Sequence, residues 1–321
     1  MRRRDFIAVF GGAAIVWPID ARSQQLERRR IGFMRVGPPP AAFIDGFRRG
    51  MREQGFIEGQ QFVIEYRVTE SSAQMPDAVA DLVRSKVEVI LASGTPSVLP
   101  AHRAAAGIPV VFVATLDPVA TGLVASLAKP SGNLTGLTSI SGDLTAKRLQ
   151  LLKELLPSLS RIAILVRELS PTTTQYVQES RIASHDLGVE LQLLAERDPA
   201  DLDDIFLKAK ESGALVVADD AEFTAHRARI AELALKHRMP IISGLRELVE
   251  AGGLMAYGAS FGELYRRAAS QVCKILQGAS PANLPVEQPT KFEFVLNMRT
   301  ARALDVTISP TLFARADEVI E

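Results

Sequence analysis

VEVILASGTPSVLPAHRAAAGIPVVFVA, residues 87–114, is the stretch that decides the fold. Two short runs rich in Val and Ile, VEVILAS (87–93) and IPVVFVA (108–114), flank a longer segment of helical character. Near-continuous apolar runs suit strands that are buried on both faces of a sheet, and strands that alternate with helices are typical of parallel pairing. The stretch therefore predicts a strand–helix–strand unit of an α/β protein.

The same alternation extends in both directions along the chain. Upstream, RIGFMRV (30–36) and QFVIEYR (61–67) predict strands, and helices are predicted over 43–54 and 75–86. Downstream of the amphipathic segment 144–157, five further strands are predicted, at 161–166, 189–194, 214–219, 239–243 and 253–258. The expected fold class is α/β, with two doubly wound parallel-sheet lobes.

The chain is expected to cross between the two lobes several times. We assign residues 28–135 and 260–290 to the N-terminal lobe, and residues 136–259 and 291–321 to the C-terminal lobe. The predicted crossings lie near 133–139, near 257–260 and within 284–296. Several short connections between rigid lobes form a hinge that can close on a ligand, whereas a single linker gives independent domains.

The first 25 residues have the composition of an export signal. Arg2, Arg3 and Arg4 form a charged start, and the apolar run 6–17 precedes small residues that suit a signal peptidase. The run is too short for an anchor, because a transmembrane helix needs about 20 apolar residues. Residues 1–25 are therefore predicted to be a signal peptide that is removed on export to the periplasm. The run RRRDFI resembles the twin-arginine pattern, and the general secretory route stays open.

Composition and motifs argue against several classes of function. The 37 basic and 37 acidic residues balance, so we expect no nucleic acid as a partner. One cysteine, Cys273, and four histidines without ligand spacing predict no metal site. The sequence has no G-x-S-x-G elbow, P-loop, G-x-G-x-x-G turn or H-E-x-x-H motif, so we predict no catalytic residue and no cofactor.

Candidate site residues come from the loops beyond the carboxyl ends of the strands, where open α/β sheets bind their ligands. Within these loops, 93–95 is the best candidate, because Gly94 allows close approach, the hydroxyls donate hydrogen bonds and a helix begins near Pro96. This loop favours a carboxylate, with a plain helix cap as the alternative. The first lobe supplies nine ligand-binding candidates: Val36, Gly37, Ser93, Gly94, Thr95, Thr115, Leu116, Asp117 and Ser139.

The second lobe supplies four more candidates, Arg167, Asp219, Ser243 and Tyr257. Asp219 follows the apolar run ALVVA and can face a ligand amine across the cleft, or cap the next helix. Tyr257 can stack on an apolar ligand or pack between the lobes. The loops thus predict a cleft with one end for an anion and one for a cation.

Four long segments resemble one known family. They are DPVATGLVASLAKPSGNLTGLT (117–138), KRLQLLKELLP (147–157), EAGGLMAYGAS (250–260) and LPVEQPTKFEFVLNMRTARALDVTISPTLFARADEVIE (284–321). They are similar to ABC-transporter substrate-binding proteins of the tryptophan/tyrosine transport-receptor type. The resemblance implies the type I periplasmic-binding fold and aromatic or related amino acids as ligands. It also implies that the loops 93–95 and 115–117 and Asp219 lie at the cleft.

Two departures from the family pattern affect the expected pocket. Ser243-Gly244 stands where many members carry Tyr-Pro, and Asp219-Asp220 where Asp-Pro is common. One aromatic wall is lost and one negative charge is gained, so an amino acid-like ligand or an aromatic carboxylate is expected. The predicted function is a periplasmic solute-binding receptor whose closed form meets the membrane permease of an ABC importer. A sensory protein coupled to a signalling receptor is the alternative, and a secreted enzyme on the same fold is the third possibility.

Overall fold

The first half of the chain forms one parallel sheet. In the computed structural model, which describes residues 28–104, 107–130, 132–139, 144–168, 170 and 173–321, this sheet has five strands. They are β1 (Arg29–Val36), β2 (Phe62–Thr69), β3 (Val89–Ser93), β4 (Val110–Thr115) and β5 (Leu134–Thr138). Their order is β2-β1-β3-β4-β5, and every pair is parallel. The predicted signal peptide, 1–25, lies outside the described residues.

The second half forms a seven-stranded sheet in the order β12-β11-β10-β9-β8-β6-β7. All neighbouring strands are parallel except β10 and β11. The strands are β6 (Arg161–Arg167), β7 (Glu190–Glu196), β8 (Ala214–Val217), β9 (Ile241–Ser243), β10 (Met255–Ala259), β11 (Phe292–Asn297) and β12 (Glu318–Ile320).

Helices connect the strands of both sheets. The nine strands predicted from the sequence are all present, with ends within two residues of the prediction. The prediction of an α/β fold with two doubly wound sheets is therefore confirmed. The helices are α1 (Ala41–Glu53), α2 (Met75–Arg84), α3 (Thr95–Ala104), α4 (Thr145–Leu155), α5 (Thr173–Asp186), α6 (Leu202–Lys208), α7 (Ala221–Ala225), α8 (Arg227–Lys236), α9 (Arg246–Glu250), α10 (Phe261–Leu276), α11 (Met298–Ala303) and α12 (Pro310–Phe313).

The antiparallel β11 follows from the path that the chain takes after β10. Helix α10 leaves the second sheet and packs against α1, where a Cβ on Gly46 would lie 2.2 Å from the Gly262 carbonyl oxygen. The chain then pairs Glu287 with β5 and returns to the second sheet with Phe292 opposite Ala259, the last residue of β10. Because it re-enters where β10 ended, β11 has to run in the opposite direction.

Strand β5 differs from the sequence prediction, which placed a crossing at 133–139 and no strand. All of Leu134–Thr138 pairs with β4, so the predicted lobe boundary between 135 and 136 falls inside β5. The chain leaves the first sheet only after Thr138, whose N–H donates to the Glu287 carbonyl at 2.9 Å.

The core of the first sheet lies on both of its faces, as the near-continuous apolar runs predict. On β1, Ile31 and Phe33 pack towards α1 and α10, while Met34 and Val36 pack towards α2 and α3. Arg35 lies on the α1 side, because it continues the alternation of Ile31 and Phe33. The strand thus has a buried positive charge, that of Arg35, near its carboxyl end. Within the described ranges, no helix is long and apolar enough to cross a membrane.

Candidate functional site

A cavity lies between the carboxyl ends of the two sets of strands, with about 330 Å³ of empty space when its opening to solvent is included. The first sheet, its loops and helix α1 contribute Arg35, Phe43, Gly94, Ala114 and Ser139. The loops and helices of the second sheet contribute Asp219, Asp220, Ala221, Thr224 and Leu245, and Phe261 begins α10.

The two sides of the cleft touch each other around this cavity. A Cβ on Gly37, whose φ is +70°, would lie 2.3 Å from the Ala225 Cβ, so only glycine fits there. The Ser72 N–H donates to Glu222 Oε1 at 3.2 Å, which joins a loop after β2 to α7. The structure is therefore that of a closed cleft.

Arg35 is the most unusual group in the cavity wall. Its side chain is buried, Nη1 donates to Ser93 Oγ at 2.9 Å, and the guanidinium carbon lies 5.3 Å from the Phe43 ring centroid. Nε and Nη2 are buried and have no hydrogen-bond partner among the described residues. Loss of hydration on burial lowers the pKa of Arg35.

An aromatic stack holds Arg35 in place. The Phe43 ring stacks on Tyr265 with centroids 4.7 Å apart and on Phe261 with centroids 5.4 Å apart. The Tyr265 hydroxyl donates to Ser93 Oγ, the same atom that accepts from Arg35. The predicted site residue Ser93 therefore contacts the cavity through Arg35 rather than with its own hydroxyl.

Asp219 lines the cavity as predicted, and both of its carboxylate oxygens already have partners. Oδ2 accepts from Arg148 Nη2 and Oδ1 accepts from the Gly244 N–H, each at 2.8 Å. Arg148 is fully buried on α4 and also donates Nε to the Tyr257 carbonyl. A Cβ on Gly244 would lie 2.0 Å from Arg148 Nη2, so the Ser243-Gly244 sequence leaves room for this pair. The amine-binding role of Asp219 stays a prediction, and the contacts give its charge another partner.

The helix-capping alternative applies to Asp220 and not to Asp219. Asp220 Oδ1 accepts from the Glu222 N–H at 2.8 Å at the start of α7. Burial raises the pKa of Asp220 to about 6. Arg167 lies nearby and donates to Glu196 at 2.7 Å and pairs with Glu222 at 2.6 Å. The predicted site residue Arg167 is thus held by two carboxylates.

A second, smaller cavity adjoins the first and shares Asp219 and Asp220 with it. Arg167 and Leu116, both predicted as site residues, line this second cavity. With Gly94, Ser139 and Asp219 in the first cavity, the structure brings five of the thirteen predicted residues to cavity walls.

Other predicted residues support the cleft without lining either cavity. Val36 is part of the core below α2 and α3, and Thr95 is buried at the start of α3. Thr115 is buried at the end of β4. Asp117 Oδ1 accepts from the N–H groups of Val119 and Ala120, which closes its own turn.

Two predicted residues of the second lobe also turn away from the cavities. Ser243 Oγ bonds only the Leu245 backbone among the described residues. The Tyr257 ring packs edge-on against Phe294 of the neighbouring strand β11, with centroids 6.4 Å apart, so this contact lies within the second sheet and not between the lobes.

Eight residues of the first cavity were missed in the sequence: Arg35, Phe43, Ala114, Asp220, Ala221, Thr224, Leu245 and Phe261. The available signal for Arg35 was a charge near the carboxyl end of an apolar strand. Ala114 gave none, although its φ of +62° is rare for a residue with a side chain and coincides with a register shift in β4. In the described part of the chain, no group of three or more His, Cys, Asp or Glu is placed to hold a metal ion.

Comparison with known proteins identifies the fold. A conserved domain protein from Vibrio cholerae superposes with a TM-score of 0.86 at 22% identity, covering 91% of this chain and 100% of the other. An ABC domain in complex with L-Trp from Streptococcus pneumoniae gives a TM-score of 0.85 at 22% identity, with the same coverage. These likenesses confirm the type I periplasmic-binding-protein fold.

Sequence comparison extends this result from fold to family. A tyrosine-binding protein of Clostridioides difficile (strain R20291) is 25% identical over 270 residues, which are 81% of this chain and 76% of the relative. The sequence model of the family described as ABC transporter substrate binding protein matches residues 36–320. With nearly all of the described chain inside that match, the protein belongs to the family of ABC transporter substrate-binding proteins.

Proposed function

We propose that the protein is an exported receptor that binds an amino acid-like or aromatic carboxylate in the cleft and delivers it to the permease of an ABC importer. The observation that carries this proposal is the cavity between the two sheets, which has a buried cation in its wall. The family is one of binding proteins and not of enzymes. Relatives described as tyrosine-binding and as an L-Trp complex support a ligand of this size and chemistry.

Ligand binding and cleft closure are coupled in this proposal. A ligand in the cavity touches groups from both sheets only when the cleft is closed, so it stabilises the closed form. Gly37 and Ala225, and Ser72 and Glu222, are in contact across the cleft, so opening the cleft would separate both pairs. A permease that docks on both lobes would therefore distinguish loaded receptor from empty receptor.

The proposed location is the periplasm. Residues 1–25 have the composition of a removable export signal, and receptors of ABC importers act outside the inner membrane. Fractionation of cells that express the full chain tests this. Recovery of the protein from the cytoplasm with Met1 in place would contradict it.

A ligand screen with two readouts tests the binding function. A ligand present at 100 times its Kd stabilises the folded protein by about 2.7 kcal/mol, which a thermal-shift screen over amino acids and organic acids detects. Small-angle scattering should then show a smaller radius of gyration with the ligand than without it. A screen in which no compound raises the melting temperature, together with an unchanged radius, would refute the binding proposal.

A further inference from the structure

The guanidinium of Arg35 has one edge that the protein leaves unused. Nη1 donates to Ser93 Oγ, whereas Nε and Nη2 have no hydrogen-bond partner among the described residues. Nε–H and one N–H of Nη2 lie side by side on one edge of the planar group, and that edge can hold a carboxylate through two parallel hydrogen bonds. We propose that Arg35 is the carboxylate anchor of the cleft, and that Ser93 positions it. This inference rests on the proposed function and names the group that the site recognises.

Arg148 shows what a structural arginine looks like in the same protein. Both arginines are buried almost completely, with exposures of 3% for Arg35 and 0% for Arg148. Arg148 donates Nε to the Tyr257 carbonyl and Nη2 to Asp219, the same two nitrogens that Arg35 leaves unpaired. Buried donors without partners destabilise a protein, because they lose water and gain nothing in exchange. Arg35 lines the cavity, and an unpaired guanidinium edge in a residue beside a cavity is what a ligand site requires and what a purely structural residue avoids.

The unused edge is also held rigidly. The Ser93 hydroxyl fixes Nη1, and the Phe43 ring, itself stacked on Tyr265, lies against the guanidinium. A group that is already in its binding geometry loses little conformational freedom when the ligand arrives. This favours tight binding of a carboxylate from a small number of contacts.

The neighbouring carboxyl groups of Glu247 and Asp220 do not hydrogen-bond to the unpaired nitrogens of Arg35. Both oxygens of Glu247 are buried without a hydrogen-bond partner among the described residues, and Asp220 Oδ1 accepts from the Glu222 N–H. Glu247 and Asp220 act on Arg35 only through their electrostatic field. A ligand carboxylate would supply the paired negative charge that is missing.

Two classes of ligand carry a carboxylate: α-amino acids, and organic acids without an amine. Asp219, the residue predicted to hold an amine, already accepts from Arg148 and from the Gly244 N–H. Affinity should therefore depend on the carboxylate of the ligand more than on its amine. Three probes with one ring separate the two groups: L-tyrosine, 3-(4-hydroxyphenyl)propionate, which lacks the amine, and tyramine, which lacks the carboxylate.

The first experiment is calorimetry of the mature wild-type protein and its variants with these three probes and with a library of organic acids. We expect the carboxylates to bind and tyramine not to bind. Arg35→Met should weaken carboxylate binding by at least about 30-fold, and Arg35→Lys, which keeps the charge and loses the fork, by about tenfold. The matched control is Arg30→Met, because Arg30 lies on the same strand and pairs with Glu65 away from the cavity. Any of three results would refute the role of Arg35 as carboxylate anchor. They are carboxylate binding that is unchanged in Arg35→Met, tyramine binding that is as tight as that of the carboxylates, and no binding of any carboxylate.

The second experiment needs no ligand. If Arg35 serves ligand binding, Arg35→Met removes unpaired buried donors, and the ligand-free melting temperature should stay the same or rise by a few degrees. A melting temperature that falls by more than that of Arg30→Met would identify Arg35 as a structural residue. The two proposals also fail separately. If the wild type and Arg35→Met bind a ligand and close equally well, the receptor function stands and the role of Arg35 as carboxylate anchor is refuted.

Discussion

Replacing Gly37 by alanine tests whether the cleft has to close as tightly as the structure shows. The added Cβ would lie 2.3 Å from the Ala225 Cβ, whereas ordinary contacts begin near 3.4 Å. The two sides would have to separate by about 1 Å, or the loops would have to shift. Overpacking of this kind costs roughly 1–3 kcal/mol, and the cost falls only on the closed form. The ligand should therefore bind about 5- to 150-fold more weakly to Gly37→Ala.

The assay is calorimetric titration with the ligand that stabilises the wild type most, with scattering in parallel. Gly37 has a φ of +70°, so alanine also strains the backbone by about 1–2 kcal/mol in open and closed forms alike. Gly55→Ala controls for that strain, because Gly55 has a φ of +83° and nothing within 4 Å of an added Cβ. It should lower the melting temperature and leave the affinity unchanged.

A second substitution shows whether the contact itself is responsible. Ala225→Gly removes the methyl group that the new Cβ meets, so the double variant with Gly37→Ala should recover part of the lost affinity. The nearest remaining atom would be the Ala225 Cα at 3.1 Å, which is still tight, so full recovery is not expected. Wild-type affinity in Gly37→Ala would refute the reasoning, because it would mean that the bound form does not contain this contact.

Three further predictions follow from buried charges and from the N-terminus. Burial raises the pKa of Glu247 from 4.5 to about 7, so between these pH values the folded protein keeps a proton that the unfolded chain has released. Stability should fall by about 3 kcal/mol as pH rises through this window, and urea unfolding of Glu247→Gln should lack that fall. Arg148→Met leaves Asp219 buried without its main partner and should cost roughly 3–5 kcal/mol in urea unfolding. The double variant with Asp219→Asn should recover part of this loss. A loss in the double variant that equals or exceeds that of Arg148→Met would contradict the pairing of Arg148 with Asp219. Mass spectrometry of periplasmic protein should find the mature chain beginning near residue 24 or 25, and Lys in place of Arg3 and Arg4 should block export only on the twin-arginine route.

The fold could be predicted from the sequence because its strands carry strong local patterns. Strand β1 was expected at 30–36 and is found at Arg29–Val36, since six consecutive positions of that strand are buried. Strand β5 was missed because LTGLT contains glycine and two threonines, and only its pairing with β4 makes it a strand. Strand β11 was missed because it follows a segment punctuated by prolines, and its direction depends on where α10 packs.

The candidate site was predicted less completely, because its contacts join residues that are far apart in sequence. Asp219 was identified from its place at a strand end, but its partner Arg148 lies 71 residues earlier on α4. Arg35 carried only the weak signal of a charge in an apolar strand. Its burial depends on α1 and on Tyr265 of α10, so no local pattern could have placed it in a cavity wall.

The packing of α10 on α1 has a consequence for biosynthesis. Phe43, Phe47 and Met51 of α1 belong to a core that α10 completes, and α10 ends more than 200 residues after α1. At about 5–20 residues per second, the ribosome needs on the order of 10 to 50 s to produce that cover. During this interval the nascent chain lacks the cover that α10 gives to the apolar face of α1. We therefore expect the unfinished chain either to need a holding chaperone or to fold slowly enough for α10 to be made first.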